Sequence, residues 1–260
     1  MMKIGFIGSG RVASHLATAL AQHYTVAQIY VRNIQKAQPL ADSLGAELIS
    51  EYKKFRSDLD VCVIAVSDQA IEEMIKNLTQ YLPNTLIVHT SGSTSIEVLK
   101  SYHDRVGIFY PLQTFSLERE IDWKSTPLLL EAHHQADEHM LEKMAALLSD
   151  RVYLYDSAQR LSLHLAAVFA CNFSNACYDI AYQIVNQQGV DFELLHPLIL
   201  ETAQKATQHI PHTVQTGPAK RQDHKILNLH GTMLSKNDQE NWSNIYRLMS
   251  QHIMEKKESE

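Results

Sequence analysis

The chain is 260 residues long, enough for one large domain or two modest ones. Hydrophobic residues make up 45% and charged residues 20% of it, which excludes a disordered chain. The net charge is −6 with both signs interspersed, so we expect no nucleic acid binding through a basic patch. No apolar stretch reaches the roughly 20 residues of a membrane span, and the first predicted strand leaves no room for a signal peptide.

The three cysteines form no CxxC pair and leave an odd number, a usage typical of a reduced, cytoplasmic protein. They are Cys62, Cys171 and Cys177. The 14 histidines are many for this length, but metal sites need ligands at set spacings. The two close pairs, His133 with His134 and His209 with His212, have no carboxylate or cysteine nearby at such a spacing. We therefore expect no metal.

The first half of the chain alternates short apolar runs with helical stretches. Strands are predicted over residues 3–7, 25–31, 61–66, 85–89 and 106–110. Helices are predicted over residues 11–23, 34–44, 69–81 and 96–102, and Gly45 suits the end of the second one. This alternation is typical of right-handed βαβ units and a parallel sheet.

The sequence pattern changes after about residue 155, where the alternation of predicted strands and helices stops. Residues 158–188 contain no Gly or Pro and keep a helical apolar spacing, which predicts one long, mostly buried helix that Gly189 ends. Further helices are predicted over 192–208, 223–233 and 237–256, before a charged tail. The fold class is thus α/β, with a doubly wound parallel Rossmann sheet in residues 1–155 and an all-helical domain in residues 156–260.

A glycine-rich turn joins the first predicted strand to the first predicted helix. Residues 8–13 read G-x-G-x-x-A, and this pattern holds a dinucleotide pyrophosphate at the N-terminus of a helix. A turn that serves only the fold is the alternative. The predicted pyrophosphate contacts are Gly8, Ser9, Gly10, Arg11 and Val12.

The end of the second predicted strand favours NADP over NAD. NAD enzymes usually place Asp or Glu there, whereas this chain has Arg32 followed by Asn33. An arginine suits a 2′-phosphate, although an exposed arginine at the start of a helix is also common. Val66, Ser67, Thr90 and Ser91 end two further strands, where ligands of open α/β sheets bind, and we predict cofactor contacts for all four.

Polar residues on the long predicted helix fall on one face. His164, Asn172, Asn175 and Asp179 share it with Val168, and polar groups on an apolar helix are costly unless they have partners or face a cleft. We predict that His164 and Asn172 are catalytic and that Asn175 contacts substrate. Hydrogen bonds in a domain or dimer interface are the alternative.

Three more polar side chains are candidate substrate contacts. Gln113 and Thr114 follow the strand predicted over residues 106–110, and Arg221 follows the rigid turn at Gly217 and Pro218. Arg221 suits a substrate carboxylate. The alternatives are solvent-facing loop residues and, for Arg221, a carboxylate of the protein itself.

These segments together resemble a bacterial Rossmann-like family of NADP oxidoreductases of poorly defined function. It is related to pyrroline-5-carboxylate reductase, coenzyme F420-dependent NADP reductase and the 6-phosphogluconate and β-hydroxyacid dehydrogenases. The segments are residues 8–13, 110–115, 164–175 and 216–223. The resemblance implies NADP(H), a helical C-terminal domain and a homodimer formed through it. It also makes ketopantoate one candidate substrate.

One position departs from these relatives. β-Hydroxyacid dehydrogenases carry a general-acid lysine where this chain has Val168, so His164 is our candidate replacement. We therefore expect an NADP(H)-dependent oxidoreductase that acts on a small 2-oxo or imino acid in the cleft between the domains. The alternatives are a non-catalytic, redox-sensing NADP(H)-binding dimer and an interaction module that binds no dinucleotide.

Overall fold

The computed structural model describes residues 1–116, 118–236 and 240–255. The chain divides into two compact units, Met1–Phe169 and Ala170–Glu260. Parts of two predictions, the start and end of the last helix and most of the charged tail, lie outside the described residues. Among the helices in the described ranges, none has the length and apolar character needed to cross a membrane.

The first unit is built on one eight-stranded sheet. Its strands are β1 Lys3–Ile7, β2 Thr25–Tyr30, β3 Glu47–Ile49, β4 Val61–Ile64, β5 Leu86–His89, β6 Val106–Pro111, β7 Leu128–Ala132 and β8 Val152–Leu154. They lie in the order β3-β2-β1-β4-β5-β6-β7-β8. Because the chain winds outward from β1 in both directions, the doubly wound Rossmann fold is confirmed.

The helices fall in both units. Those that begin in the first unit are α1 Arg11–Ala21, α2 Ile34–Leu44, α3 Asp68–Leu78, α4 Glu97–Lys100, α5 Gln135–Leu148 and α6 Ser157–Ala167. Those of the second unit are α7 Ser174–Asn186, α8 His196–Gln208, α9 Pro218–Arg221, α10 His224–Lys236 and α11 Glu240–Glu255. Helix α2 has the predicted bounds, and Gly45 ends it in the left-handed conformation with φ +64°.

The core lies on both faces of the sheet. Val61 and Val63 of β4 pack into one apolar cluster, whereas Cys62 and Ile64 pack into the other. Successive side chains of a strand point to opposite faces, so a strand covered on both sides is apolar throughout. The uninterrupted apolar run of β4 therefore marks the centre of the sheet.

Strand β7 departs from the predicted parallel sheet. It pairs antiparallel with β6, with Gly107 opposite Ala132 and Pro111 opposite Leu128. Its leucine-rich sequence lacks the β-branched residues that indicate a strand, and no strand or helix is predicted over residues 112–155. The reversal places the start of β6 and the end of β7 at the same edge of the sheet.

The long predicted helix is helical as expected but is not mostly buried. Residues 157–186 form α6, a π-helical segment over Val168–Phe173 and α7. Leu165 is 57% and Phe169 62% exposed. The apolar spacing predicts burial within one chain, but a helix face that is covered by another molecule has the same spacing.

The start of α6 is fixed to the sheet by a buried ion pair. The Arg160 side chain is 1% exposed, and its Nη1 lies 2.6 Å from Oε2 of Glu131 at the end of β7. Its Nη2 donates to the carbonyl of Thr94 at 2.6 Å, and the Ser157 hydroxyl donates to the same Glu131 oxygen at 2.7 Å. The first unit accordingly extends to Phe169, past the predicted boundary at residue 155.

Breaking this pair should destabilise the first unit. Arg160→Met leaves the Glu131 carboxylate without its buried partner, so we expect the free energy of unfolding to fall by about 3 kcal/mol or more. Urea-induced unfolding measures it. Lys124→Met, which removes the exposed pair with Asp150, is the control and should cost less than about 1 kcal/mol. Equal losses from the two variants would contradict this account.

Candidate active site

The glycine turn lies where β1, β2 and β4 end. Gly8 has φ +104°, and its N–H donates to the Tyr30 carbonyl at 2.9 Å. A Cβ atom on Gly8 would lie 2.4 Å from the carbonyl oxygen of Ala65, closer than real Cβ atoms approach. Both the backbone angle and the contact therefore require glycine here.

Gly10 is glycine for a different reason. It is the N-cap of α1 with φ −73°, and a Cβ atom there would meet nothing within 4 Å. The chain therefore does not need glycine at this position for its own packing. The missing side chain leaves open space beside the free N–H groups of α1, whose first turn has no acidic residue. This arrangement suits an anion that approaches the backbone.

A pocket of about 270 Å³ opens beside the turn. Six of the predicted cofactor residues line it: Gly8, Ser9, Arg32, Asn33, Val66 and Ser67. The structure thus brings together residues from the ends of three adjacent strands. Arg11 and Val12 lie instead in the first turn of α1 and are not among the lining residues.

The pocket has a second cation that the sequence analysis missed. Lys36 lines it together with Arg32. Asn33 caps α2 by accepting the Lys36 N–H at 3.4 Å, which places Lys36 in the first turn of the helix, close to the end of β2. A lysine in the first turn of a helix is unfavourable for the helix dipole, and this was the available sequence signal. Arg32 is 70% exposed, and its Nη2 lies 3.4 Å from Oε2 of Glu73 on α3.

Thr90 and Ser91, the two predicted cofactor contacts after β5, form hydrogen bonds with backbone groups of the protein. The Thr90 N–H donates to the Ile64 carbonyl at 3.2 Å. The buried Ser91 hydroxyl accepts the N–H groups of Ser93 at 3.1 Å and Thr94 at 2.9 Å. Ser91 thus shapes the loop that follows β5.

His89 at the end of β5 is a buried histidine that the sequence analysis passed over. Its Nδ1 accepts the Ser91 N–H at 3.1 Å. Burial lowers the pKa of His89 to about 3, and the positive charge of Arg160 acts in the same direction. The imidazole is therefore neutral near pH 7, so His89 cannot act as a cationic proton donor at that pH.

His164 lies beside the end of β6. Its Nδ1 is 3.2 Å from the Tyr110 hydroxyl, and the two rings meet edge to face with centroids 6.2 Å apart. A Cβ atom on Gly92 would lie 2.5 Å from His164 Nδ1 and 2.8 Å from Tyr110 Cζ. The absence of a side chain at Gly92 therefore allows this pair to form.

Burial and charge act on Tyr110. Burial raises the pKa of Tyr110, and the carboxylate of Asp68 raises it further. Asp68 begins α3 and accepts a hydrogen bond from the Ser93 hydroxyl. Tyr110 therefore keeps its proton, and its hydroxyl can donate a hydrogen bond to the imidazole of His164 or accept one from it.

The predicted substrate residues are spread over both units. Gln113 and Thr114 are exposed in the first unit, and the Gln113 side-chain oxygen accepts the Thr114 N–H at 2.8 Å. Asn172 and Asn175 are exposed on the π-helical segment and α7, and Arg221 is exposed at the end of α9. The roles of these five residues stay predictions.

Two family models match the chain. Residues 3–92 match a family described as NADP oxidoreductase, coenzyme F420-dependent. Residues 126–253 match a domain of unknown function, DUF2520. A search of curated protein sequences found no significant match.

Solved structures resemble the chain over nearly its whole length. A putative NADP oxidoreductase from Bacteroides fragilis is 37% identical with a TM-score of 0.90, and the match covers 98% of both chains. An imine reductase from Myxococcus stipitatus, in complex with NADP⁺, is 17% identical with a TM-score of 0.74 over 99% and 94% of the two chains. A pyrroline-5-carboxylate reductase from Coxiella burnetii is 14% identical with a TM-score of 0.59 over 96% and 97%.

The two glycines of the turn should respond differently to alanine. Gly8→Ala forces a side chain onto the Ala65 carbonyl and strains a positive φ, so we expect a loss of about 1–3 kcal/mol in unfolding free energy. Gly10→Ala places its methyl group in open space and should unfold almost as wild type does. Thermal or urea unfolding compares them, and equal stability of the two variants would contradict the assigned roles.

Proposed function

This chain belongs to the family of NADP oxidoreductases that the Bacteroides fragilis protein represents. From that membership we propose that it reduces the C=O or C=N bond of a small polar substrate, with His164 as the proton donor. The hydrogen bond between the Tyr110 hydroxyl and His164 Nδ1 carries the proposal. This pair lies at the carboxyl edge of the sheet, as does the pocket beside the glycine turn.

The pocket residues fit NADP(H). The open space at Gly10 and the N-terminus of α1 suit the pyrophosphate, and Arg32 and Lys36 provide two positive charges for the 2′-phosphate. Glu73 holds the Arg32 guanidinium only weakly, because both side chains are exposed and 3.4 Å apart. A phosphate dianion would therefore compete well for Arg32.

Removing these charges should lower the affinity for NADPH and not for NADH. We expect Arg32→Ala to weaken NADPH binding at least tenfold, equivalent to about 1.4 kcal/mol, and Lys36→Ala to weaken it less. A fluorescence titration with each dinucleotide measures both affinities. Glu73→Gln is the matched variant, and it should strengthen NADPH binding because it frees Arg32. An equal loss of NADH affinity in Arg32→Ala would count against the 2′-phosphate contact.

The proton and the hydride have separate sources in this proposal. When bound, the nicotinamide of NADPH supplies a hydride to the carbon of the C=O or C=N bond. The electron pair of that bond then moves to oxygen or nitrogen, which takes a proton from His164 to give the alcohol or amine. Because Nδ1 faces Tyr110, Nε2 is the nitrogen left to donate. The deprotonated His164 regains its proton from solvent.

Tyr110 and Gly92 hold the proton donor in place. The Tyr110 hydroxyl fixes the rotation of the imidazole, and Gly92 leaves the space that the ring occupies. Val168 lies one turn further along, and its N–H donates to the His164 carbonyl, so both residues lie on one helix face. His164 would thus act from one turn before the position where the β-hydroxyacid dehydrogenases carry lysine.

The proposed substrate is a small 2-oxo or imino acid. The family relationship supports NADP chemistry, and the names of the more distant structural neighbours include imine reductase and pyrroline-5-carboxylate reductase. We propose that Arg221 binds the substrate carboxylate and that Asn172 acts at the reacting bond. Gln113, Thr114 and Asn175 are the further proposed contacts. A reaction like that of ketopantoate reductase is one form of this proposal.

Removing the imidazole should slow turnover without changing cofactor binding. With ketopantoate or pyrroline-5-carboxylate, whichever is reduced, we expect His164→Ala to lower kcat by about 10²–10⁴-fold, the usual contribution of a general acid. NADPH oxidation is followed by absorbance, and NADPH affinity is the control. Gly92→Ala, which displaces the ring, should lower kcat as well. Unchanged kcat in His164→Ala would overturn the proton-donor assignment.

We also propose a cytoplasmic homodimer. The exposed apolar side chains of α6 and the π-helical segment, such as Leu165 and Phe169, are a surface that a second copy would cover. The three cysteines are free thiols, which suits a reducing compartment. Sedimentation or light scattering of the full chain gives the oligomeric state.

A further inference from the structure

Three metal-ligating side chains meet at the edge of the sheet opposite to the proposed active site. They are Asp104, which lies two residues before β6, and His133 and His134, which follow β7. All three are exposed, and one ligand atom from each lies within 4.8 Å of the others. They come together because β7 runs antiparallel to β6, which places its end beside the start of β6.

The backbone beneath these side chains is well fixed. The His133 N–H donates to the Val106 carbonyl at 3.0 Å, which continues the pairing of β6 with β7. On the other segment, the neighbours of Asp104 are both anchored. The His103 ring bonds the Thr85 carbonyl at 2.8 Å, and Arg105 pairs with the buried carboxylate of Asp137. The ligand positions are therefore held by the sheet and not by a loose loop.

The side chains are already close to a shared centre. His134 Nε2 lies 3.0 Å from Asp104 Oδ2, and the rings of His133 and His134 have centroids 4.5 Å apart. Metal–nitrogen and metal–oxygen bonds are about 2.0–2.2 Å long, so small rotations of exposed side chains bring all three atoms onto one ion. The positive charge of Arg105 is directed to Asp137, which leaves the Asp104 carboxylate available.

We propose that Asp104, His133 and His134 bind a divalent transition-metal ion of the Zn²⁺ class. Two imidazole nitrogens and one carboxylate oxygen favour Zn²⁺, Ni²⁺ or Cu²⁺ over Mg²⁺ and Ca²⁺, which prefer oxygen ligands. Since the ligands join the start of β6 to the end of β7, the ion fastens the antiparallel pair. The sequence predicts no metal site, because Asp104 is distant from the histidine pair along the chain.

The test is a calorimetric titration of the full chain with Zn²⁺. It uses a Cys171→Ser, Cys177→Ser background, because exposed thiols also bind zinc. We expect one site per chain that His134→Ala weakens at least tenfold and Asp104→Asn weakens less. His139→Ala is the matched control, since it removes an exposed histidine of α5, the helix that follows the proposed ligands, and should leave the affinity unchanged.

Stability gives a second readout. A ligand that binds only the folded state raises Tm, so Zn²⁺ should raise the Tm of the background protein more than that of His134→Ala. Mg²⁺ at the same concentration should raise neither. An affinity for Zn²⁺ that His134→Ala and Asp104→Asn leave unchanged, or no zinc binding at all, would overturn the proposal. Neither result bears on the proposed oxidoreductase activity, because these residues lie at the other edge of the sheet.

Discussion

The close contact between the glycine turn and β4 is the constraint on which the candidate site depends. Gly8 must bend away from β1 at a positive φ while it passes against the Ala65 carbonyl, and its N–H takes the last carbonyl of β2. These contacts bring the ends of β1, β2 and β4 together around Gly8. The pocket and the N-terminus of α1 open at that point, so a phosphate group meets backbone N–H groups that are already fixed.

The site divides its chemistry between backbone and side chains. In the proposed function, cofactor recognition would rest mainly on the turn and on the two cations that follow β2, whereas proton donation would rest on one hydrogen-bonded pair, Tyr110 and His164. The hydrogen-bonded pair and the glycine turn are linked only in that both lie at the carboxyl edge of the sheet. A buried ion pair at the start of α6 supports it, because Arg160 holds the helix that carries His164.

Local patterns predicted most of the fold, and contacts distant along the chain account for what they missed. The apolar run of β4 and the glycine after α2 are local signals, and the structure has both elements where the sequence placed them. Two contacts depend on strand order, which the spacing of residues along the chain does not predict. They are the hydrogen bond of His164 to Tyr110 and the approach of Asp104 to His134. The exposed face of α6 shows a further limit, since apolar periodicity does not say which surface covers a helix.

The antiparallel return from β6 to β7 has a consequence for the segment that joins the two strands. A parallel strand would need a crossover helix on one face of the sheet, and the helix packing would limit changes in its sequence. Here Pro111 and Leu128 pair directly, so the intervening residues leave and re-enter the sheet at the carboxyl edge. The part of this segment that includes Gln113 and Thr114 is exposed, so changes at these two positions leave the strand pairing intact. The antiparallel return thus fixes both ends of the segment while the exposed side chains between them contribute nothing to the sheet.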